Sequence, residues 1–153
     1  MQTFDIIKHW QQMKCATPGV VTMTTDLASA FDFWVTIILM GFRDRANEVV
    51  FFSRPKTELF YMVEGVTYQL VAPHASMNNL IRTAIFQLAD IRVPNRAINY
   101  LRSGTAISNI NVLVGDFTTV IDVRYDYASS SIRLSLEVSE DISAVAKDLW
   151  STI

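Results

Sequence analysis

The run FWVTIILMGF, residues 33–42, has to leave water, and what it can pack against sets the rest of the chain. A membrane span needs about 20 apolar residues. This run is shorter, with Asp32 before it and Arg43, Asp44 and Arg45 after it. It therefore reads as a buried helix, capped at Thr25 or Asp26 and reaching about Phe42. Val35, Thr36, Ile37 and Ile38 are β-branched and lower its helix propensity, so a strand competes for its second half. Half of the 153 residues are hydrophobic and only 18% are charged, against roughly 25% in an average domain. Either the core is large or apolar area reaches the surface, which points to a partner or to self-association.

Around this helix the pattern alternates between periods. Phe4, Ile6, Ile7, Trp10 and Met13 recur at helical spacing and predict a helix over residues 3–15, stopped by Thr17, Pro18 and Gly19. Val20–Thr24 is a candidate short strand. Three strands follow the long helix, at Glu48–Phe52, Glu58–Val63 and Val66–Val71. Ser53–Lys56 makes the first turn and Glu64-Gly65 a two-residue hairpin turn. Ser76 caps a helix to about Ala89, with Leu80, Ile81, Ala84, Ile85 and Leu88 as its apolar stripe. Residues 91–104 are irregular. Thr105–Val114, Thr118–Tyr127 and Ser131–Val138 are three more strands, and Ser139, Glu140 and Asp141 open a last helix whose early negative charge suits its dipole. Strands joined by short turns pair antiparallel. The expected class is α+β, an antiparallel sheet with helices packed on one face in a PAS-like arrangement, in the order α-(β)-α-β-β-β-α-β-β-β-α. The chain reads as one domain, with a lead-in at 1–25, a core at 26–138 and a closing helix at 139–153.

Several chemistries lack their residues. Net charge is −2, no basic run occurs, and nucleic acid is not expected as a partner. The N-terminus MQTFDIIKHW carries Asp5 and no apolar core after a basic start, so it does not read as a signal peptide, and cytoplasmic placement is expected. Cys15 is the only cysteine, which precludes an internal disulfide; it reads as a half-buried structural residue. The glycines at 19, 41, 65, 104 and 115 are isolated, with neither a P-loop nor a dinucleotide fingerprint. His9 and His74 are far apart. His9 reads as a surface contact with Asp5 one turn earlier, and His74 as a loop residue. Glu140 and Asp141 are better explained as a helix start than as an acid–base pair. No catalytic set, cofactor or metal is expected. Were an activity present, Arg124, Arg96, Asp122 and His74 would be the first residues to substitute.

The aromatics raise a parity problem. Phe51 and Phe52 are neighbours in one strand, and so are Phe60 and Tyr61, so each pair points to opposite faces. A sheet covered on both faces is the simpler expectation. The alternative is one open apolar face that binds something.

From about Asp26 to Val138 the segment order resembles the domain that precedes the RecA-like motor in type II secretion and type IV pilus assembly ATPases. In that family a long apolar helix is followed by an Ala-Ser-Asp-Ile-His-Ile-Glu-Pro motif, then an arginine-bearing strand ending in Asp-Gly. A helix, a Pro-Gln-Asp-Gly-Arg turn and paired strands come next. Here ANEVVFFSRP (46–55) stands at the first motif, LFYMVEGVTYQL (59–70) at the arginine strand, and ASMNNLIRTAIFQLADIRVPNRA (75–97) at the helix and turn. FTTVIDVRYDYASSSIRLSLEV (117–138) stands at the closing strands and keeps Asp122-Val123-Arg124. The motifs are eroded: Phe60 and Met62 replace arginines, Glu64 replaces the aspartate, and no Walker A sequence is present. The resemblance implies the family's fold without its ATPase activity. It implies a non-enzymatic cytosolic adaptor or regulator whose partner is a motor ATPase or an inner-membrane platform component. Phe51, Phe60, Met62, Arg96 and Arg124 are the expected interaction surface. Two other readings stay open: an acidic homodimeric chaperone like those of type III secretion, which binds effector segments, and a small-ligand sensing domain.

Overall fold

The computed structural model describes residues 3–14, 26–91 and 104–151. In chain order its elements are β1 (Thr3–Asp5), α1 (Ile6–Lys14), α2 (Leu27–Asp44), β2 (Glu48–Phe52), β3 (Glu58–Val63), β4 (Val66–Leu70), a 3₁₀ turn (Ala75–Met77), α3 (Asn78–Leu88), β5 (Thr105–Val114), β6 (Phe117–Asp126), β7 (Ser131–Ser135) and α4 (Glu140–Ser151). The strands form one seven-stranded sheet in the order β1-β5-β6-β7-β2-β3-β4. Every pairing is antiparallel except β1 with β5. The α+β class with helices on one face is as expected.

The 33–42 run is helical throughout, and no strand forms in its second half. Asp26 caps α2 by accepting from the backbone N–H of Ser29 at 2.8 Å. At the other end Arg45 adopts the left-handed region (φ 58°), and Ala46 N–H returns to the Gly41 carbonyl at 2.7 Å. This is the Schellman closure, here without glycine at the left-handed position. α2 buries Ala30, Trp34, Val35, Ile37, Ile38, Leu39, Gly41 and Phe42. It packs on α1, α3 and α4 and covers the inner sheet face of Val49, Phe51, Leu59, Val112, Ile121, Val123, Ile132 and Leu134. Trp34 is fully buried, edge-on to Phe51, and its indole N–H donates to the Ile81 carbonyl of α3 at 2.8 Å.

Several expectations change. Residues 3–5 are a strand on the edge of β5, not the first turn of a helix. Asp5 instead accepts from Lys8 N–H at 3.1 Å where α1 begins. His9 does not pair with Asp5; its Nε2 lies 2.9 Å from Asp32 Oδ1, which ties α1 to α2. The turn before α3 is capped by the His74 ring, whose Nδ1 accepts from Ser76 N–H at 3.1 Å, rather than by Ser76. β4 ends at Leu70, and β7 ends at Ser135. None of the described helices covers the second face of the sheet, so among the described residues the expectation of cover on both sides is not met. Cys15, the candidate strand at 20–24 and most of the irregular stretch at 91–104 lie outside the described residues.

One polar cluster fixes the end of α2. Arg43 donates from Nε and Nη2 to the two carboxylate oxygens of Asp44, each at 2.9 Å. Tyr61 of β3 donates its hydroxyl to Asp44 at 2.8 Å. Arg43 also lies over the Trp150 ring, which stacks on Trp10. The bonds from Arg43 hold the Asp44 carboxyl below its usual range, against the opposing effect of burial. Burial first, and then the bond to Asp44, push the Tyr61 phenol up.

Two outcomes follow from this packing. Trp34→Ala is expected to cost about 3–5 kcal/mol and Trp34→Phe about 1–2 kcal/mol, read as shifts in the urea unfolding midpoint at constant m-value. Asp44 has a folded pKa below its unfolded one. Its stabilisation is complete above the unfolded value near 3.9 and is lost as pH falls through the folded value. Asp44→Asn should therefore cost about 1–2 kcal/mol at neutral pH. The gap from the unsubstituted chain should narrow as pH falls below about 3.9 and the Asp44 carboxylate is protonated; a gap that stays unchanged throughout acid titration would refute the assignment.

Candidate functional site

The outer sheet face follows from the register. One cross-strand row runs Ile107, Arg124, Arg133, Val50, Phe60 and Gln69. The next runs Asn109, Asp122, Ser135, Glu48, Met62 and Thr67. A third carries Thr105, Asp126, Ser131, Phe52 and Glu58. All point away from the helices, because side chains alternate between faces and the intervening Tyr125, Val123, Ile132, Leu134, Phe51 and Leu59 are buried on the other side.

The structure brings Phe60, Met62 and Arg124 onto this one face. It does not bring Phe51 there. Phe51 is only 1% exposed and lies under α2 against Trp34 and Phe33, so it cannot present an interaction surface. Arg96 lies outside the described residues. Phe52, named in the parity problem but not among the expected interaction residues, takes the place expected of Phe51. Its ring meets Phe60 edge-on with centroids 6.1 Å apart. Phe52, Phe60 and Met62 are half-buried, and Val50, on β2 opposite Phe60, is buried. At the sheet end, Phe52 and Phe60 line a shallow groove with Arg54, Pro55, Glu58, Ala128 and Ser129. Ser53 holds the two rims together by donating its hydroxyl to the Ser130 carbonyl at 3.0 Å.

Charge borders this apolar centre. Arg133 pairs with Glu48 across β7 and β2 at 3.2 Å. Arg124 sits directly opposite Arg133 on β6, a like-charge juxtaposition that is unfavourable by itself. Arg124 is exposed and has neither an ion pair nor a hydrogen bond among the described residues. Arg124, Asp126, Ser131 and Arg133 line a polar notch, in which Asp126 is engaged with the backbone N–H groups of Ala128 and Ser129. Asp122 shares the face with Arg124 one row away, whereas His74 caps its turn elsewhere. The aromatic pair on β2 and β3 and the guanidinium on β6 share one face two to three strands apart, a spacing that suits an extended protein segment carrying an apolar side chain and a carboxylate.

Among the described residues no group of three or more His, Cys, Asp or Glu side chains is placed to hold a metal ion, and no described helix is long and apolar enough to cross a membrane. No protein-family model matches the chain, and no curated protein matches it significantly in sequence.

Proposed function

We propose that this chain is a protein-binding module, a cytoplasmic adaptor or regulator that docks a partner on its outer sheet face without chemistry of its own. The observation that carries this reading is the half-buried Phe52–Phe60 pair with Met62, on the same sheet face as an exposed Arg124 guanidinium with no partner among the described residues. A desolvated aromatic anchor ringed by polar groups is how binding energy concentrates at protein interfaces. The segment order described from the sequence supplies the setting. The partner to try first is a secretion or pilus motor ATPase, or the inner-membrane platform on which such a motor works.

The variants Phe60→Glu and Arg124→Ala separate the two contributions. Binding of the purified motor or platform component, followed by titration calorimetry, should weaken by about thirtyfold or more with Phe60→Glu. Arg124→Ala should weaken it less and flatten its dependence on salt. Arg124→Ala should keep the unfolding midpoint, whereas Phe60→Glu loses the ring contact with Phe52 at a cost of about 1 kcal/mol and should remain folded at the binding temperature. Failure of every secretion and pilus component to bind the unsubstituted chain would remove this setting. Equal binding by Phe60→Glu would remove the face.

A further inference from the structure

β4 ends the sheet, with β3 as its only described neighbour. Glu64 and Gly65 both have positive φ, 50° and 80°, and join β3 to β4 in a two-residue hairpin. Val63 and Val66 flank that turn and form its hydrogen-bonded pair. By alternation Val66, Tyr68 and Leu70 direct their N–H and C=O groups to β3, while Thr67 and Gln69 direct theirs away from the sheet. The strand carries none of the usual edge protection: it has no charge, no proline and no bulge, and its register with β3 is unbroken. Val66 is 51% and Tyr68 48% exposed, and Val71 just beyond is 95% exposed, which makes three of the six exposed large hydrophobic residues in the described chain.

We infer that β4 is a self-association edge, pairing antiparallel with β4 of a second copy of this chain about a two-fold axis through Tyr68. The sequence Val-Thr-Tyr-Gln-Leu argues for a second copy over an arbitrary strand, because it reads the same chemically in both directions. Under that axis Thr67 falls opposite Gln69 of the second copy, and Gln69 opposite its Thr67. These are the residues whose backbone groups point outward, so the two pairs close the hydrogen-bonded rungs. Tyr68 meets Tyr68 of the second copy as the closer, non-hydrogen-bonded pair, where side chains approach most. Val66 meets Leu70 at each end. Glu64 falls opposite Ala72, so the nearest charge to the strand faces none of its own sign. A two-fold contact must be self-complementary in this way. The contact is one strand wide, which is small for a permanent dimer, so the association is reversible and in the micromolar range.

Sedimentation velocity over a concentration series tests this with two paired substitutions. Unsubstituted protein should shift reversibly from monomer to dimer. Thr67→Lys with Gln69→Lys places like charges opposite each other twice and should raise the dissociation constant about tenfold or more. Thr67→Lys with Gln69→Glu places opposite charges in the same positions and should keep or tighten the dimer. A monomer throughout, a constant that ignores both pairs of substitutions, or equal weakening by both would overturn the inference. Should either variant lose its circular dichroism, hydrogen exchange on the unsubstituted chain decides. The amides of Thr67 and Gln69 should gain protection with concentration, and unchanged protection there counts against the pairing.

Discussion

Burial of α2 on the sheet is the contact on which the other helices depend, because α2 touches α1, α3 and α4. Its sequence opposes it locally. Val35, Thr36, Ile37 and Ile38 together cost about 2 kcal/mol in helix propensity relative to alanine. Burying Val35, Ile37 and Ile38 contributes about 1.5–3 kcal/mol for each side chain, so packing outweighs propensity by a wide margin. The helix forms because the sheet is there, and the inner sheet face stays dry because the helix is there. Trp34 makes that dependence directional. Its indole N–H reaches the Ile81 carbonyl, which sets α3 relative to α2 as well as filling the space between α2 and Phe51.

A single helical layer leaves the sheet with unlike sides. On the inner side the central strands bury their side chains in the core that α2 covers, and at its margin Asp44 is held by Arg43 and Tyr61. On the outer side the same strands carry Arg124, Arg133, Asp122 and Glu48 around an apolar centre. Glu48 on the adjoining strand pairs with Arg133 and so offsets part of the repulsion between the opposed arginines, leaving Arg124 without an ion pair among the described residues. The open face and the open edge are therefore separate consequences of one architecture. Among the described residues, helices stop at one layer and strands stop at β4.

How much of this could be read from the sequence depended on the strand. In β6, Ile121, Val123 and Tyr125 alternate with Asp122 and Arg124, so the outward direction of Arg124 is plain before any fold is known. β7 carries the same signal, Ile132 and Leu134 against Arg133, and Arg133 was legible there although it was not singled out. β2 has no such signal. Val49, Val50, Phe51 and Phe52 are all apolar, and period-two reasoning separates Phe51 from Phe52 without saying which goes inward. Only the pairing of Phe51 with Ile132 decides it, and that is a long-range fact. β1 is three residues long, too short to show a period, and its strand geometry comes from the edge that β5 offers. The bond from His9 to Asp32 likewise joins residues that no local pattern relates.

The hairpin LFYMVEGVTYQL links the open face to the open edge. Its Glu64-Gly65 turn fixes the register of β3 on β4, and the pairing with β2 fixes β3 in the sheet. A slip of one residue would exchange every side chain between faces. Phe60 and Met62 would enter the space beneath α2, while Leu59, now fully buried, and Tyr61, now bonded to Asp44, would turn outward. Tyr61 thus ties the outer face to the end of α2. Its hydroxyl accepts only one parity for β3, the parity that leaves Phe60 beside Val50 on the outside and Thr67 facing solvent at the edge.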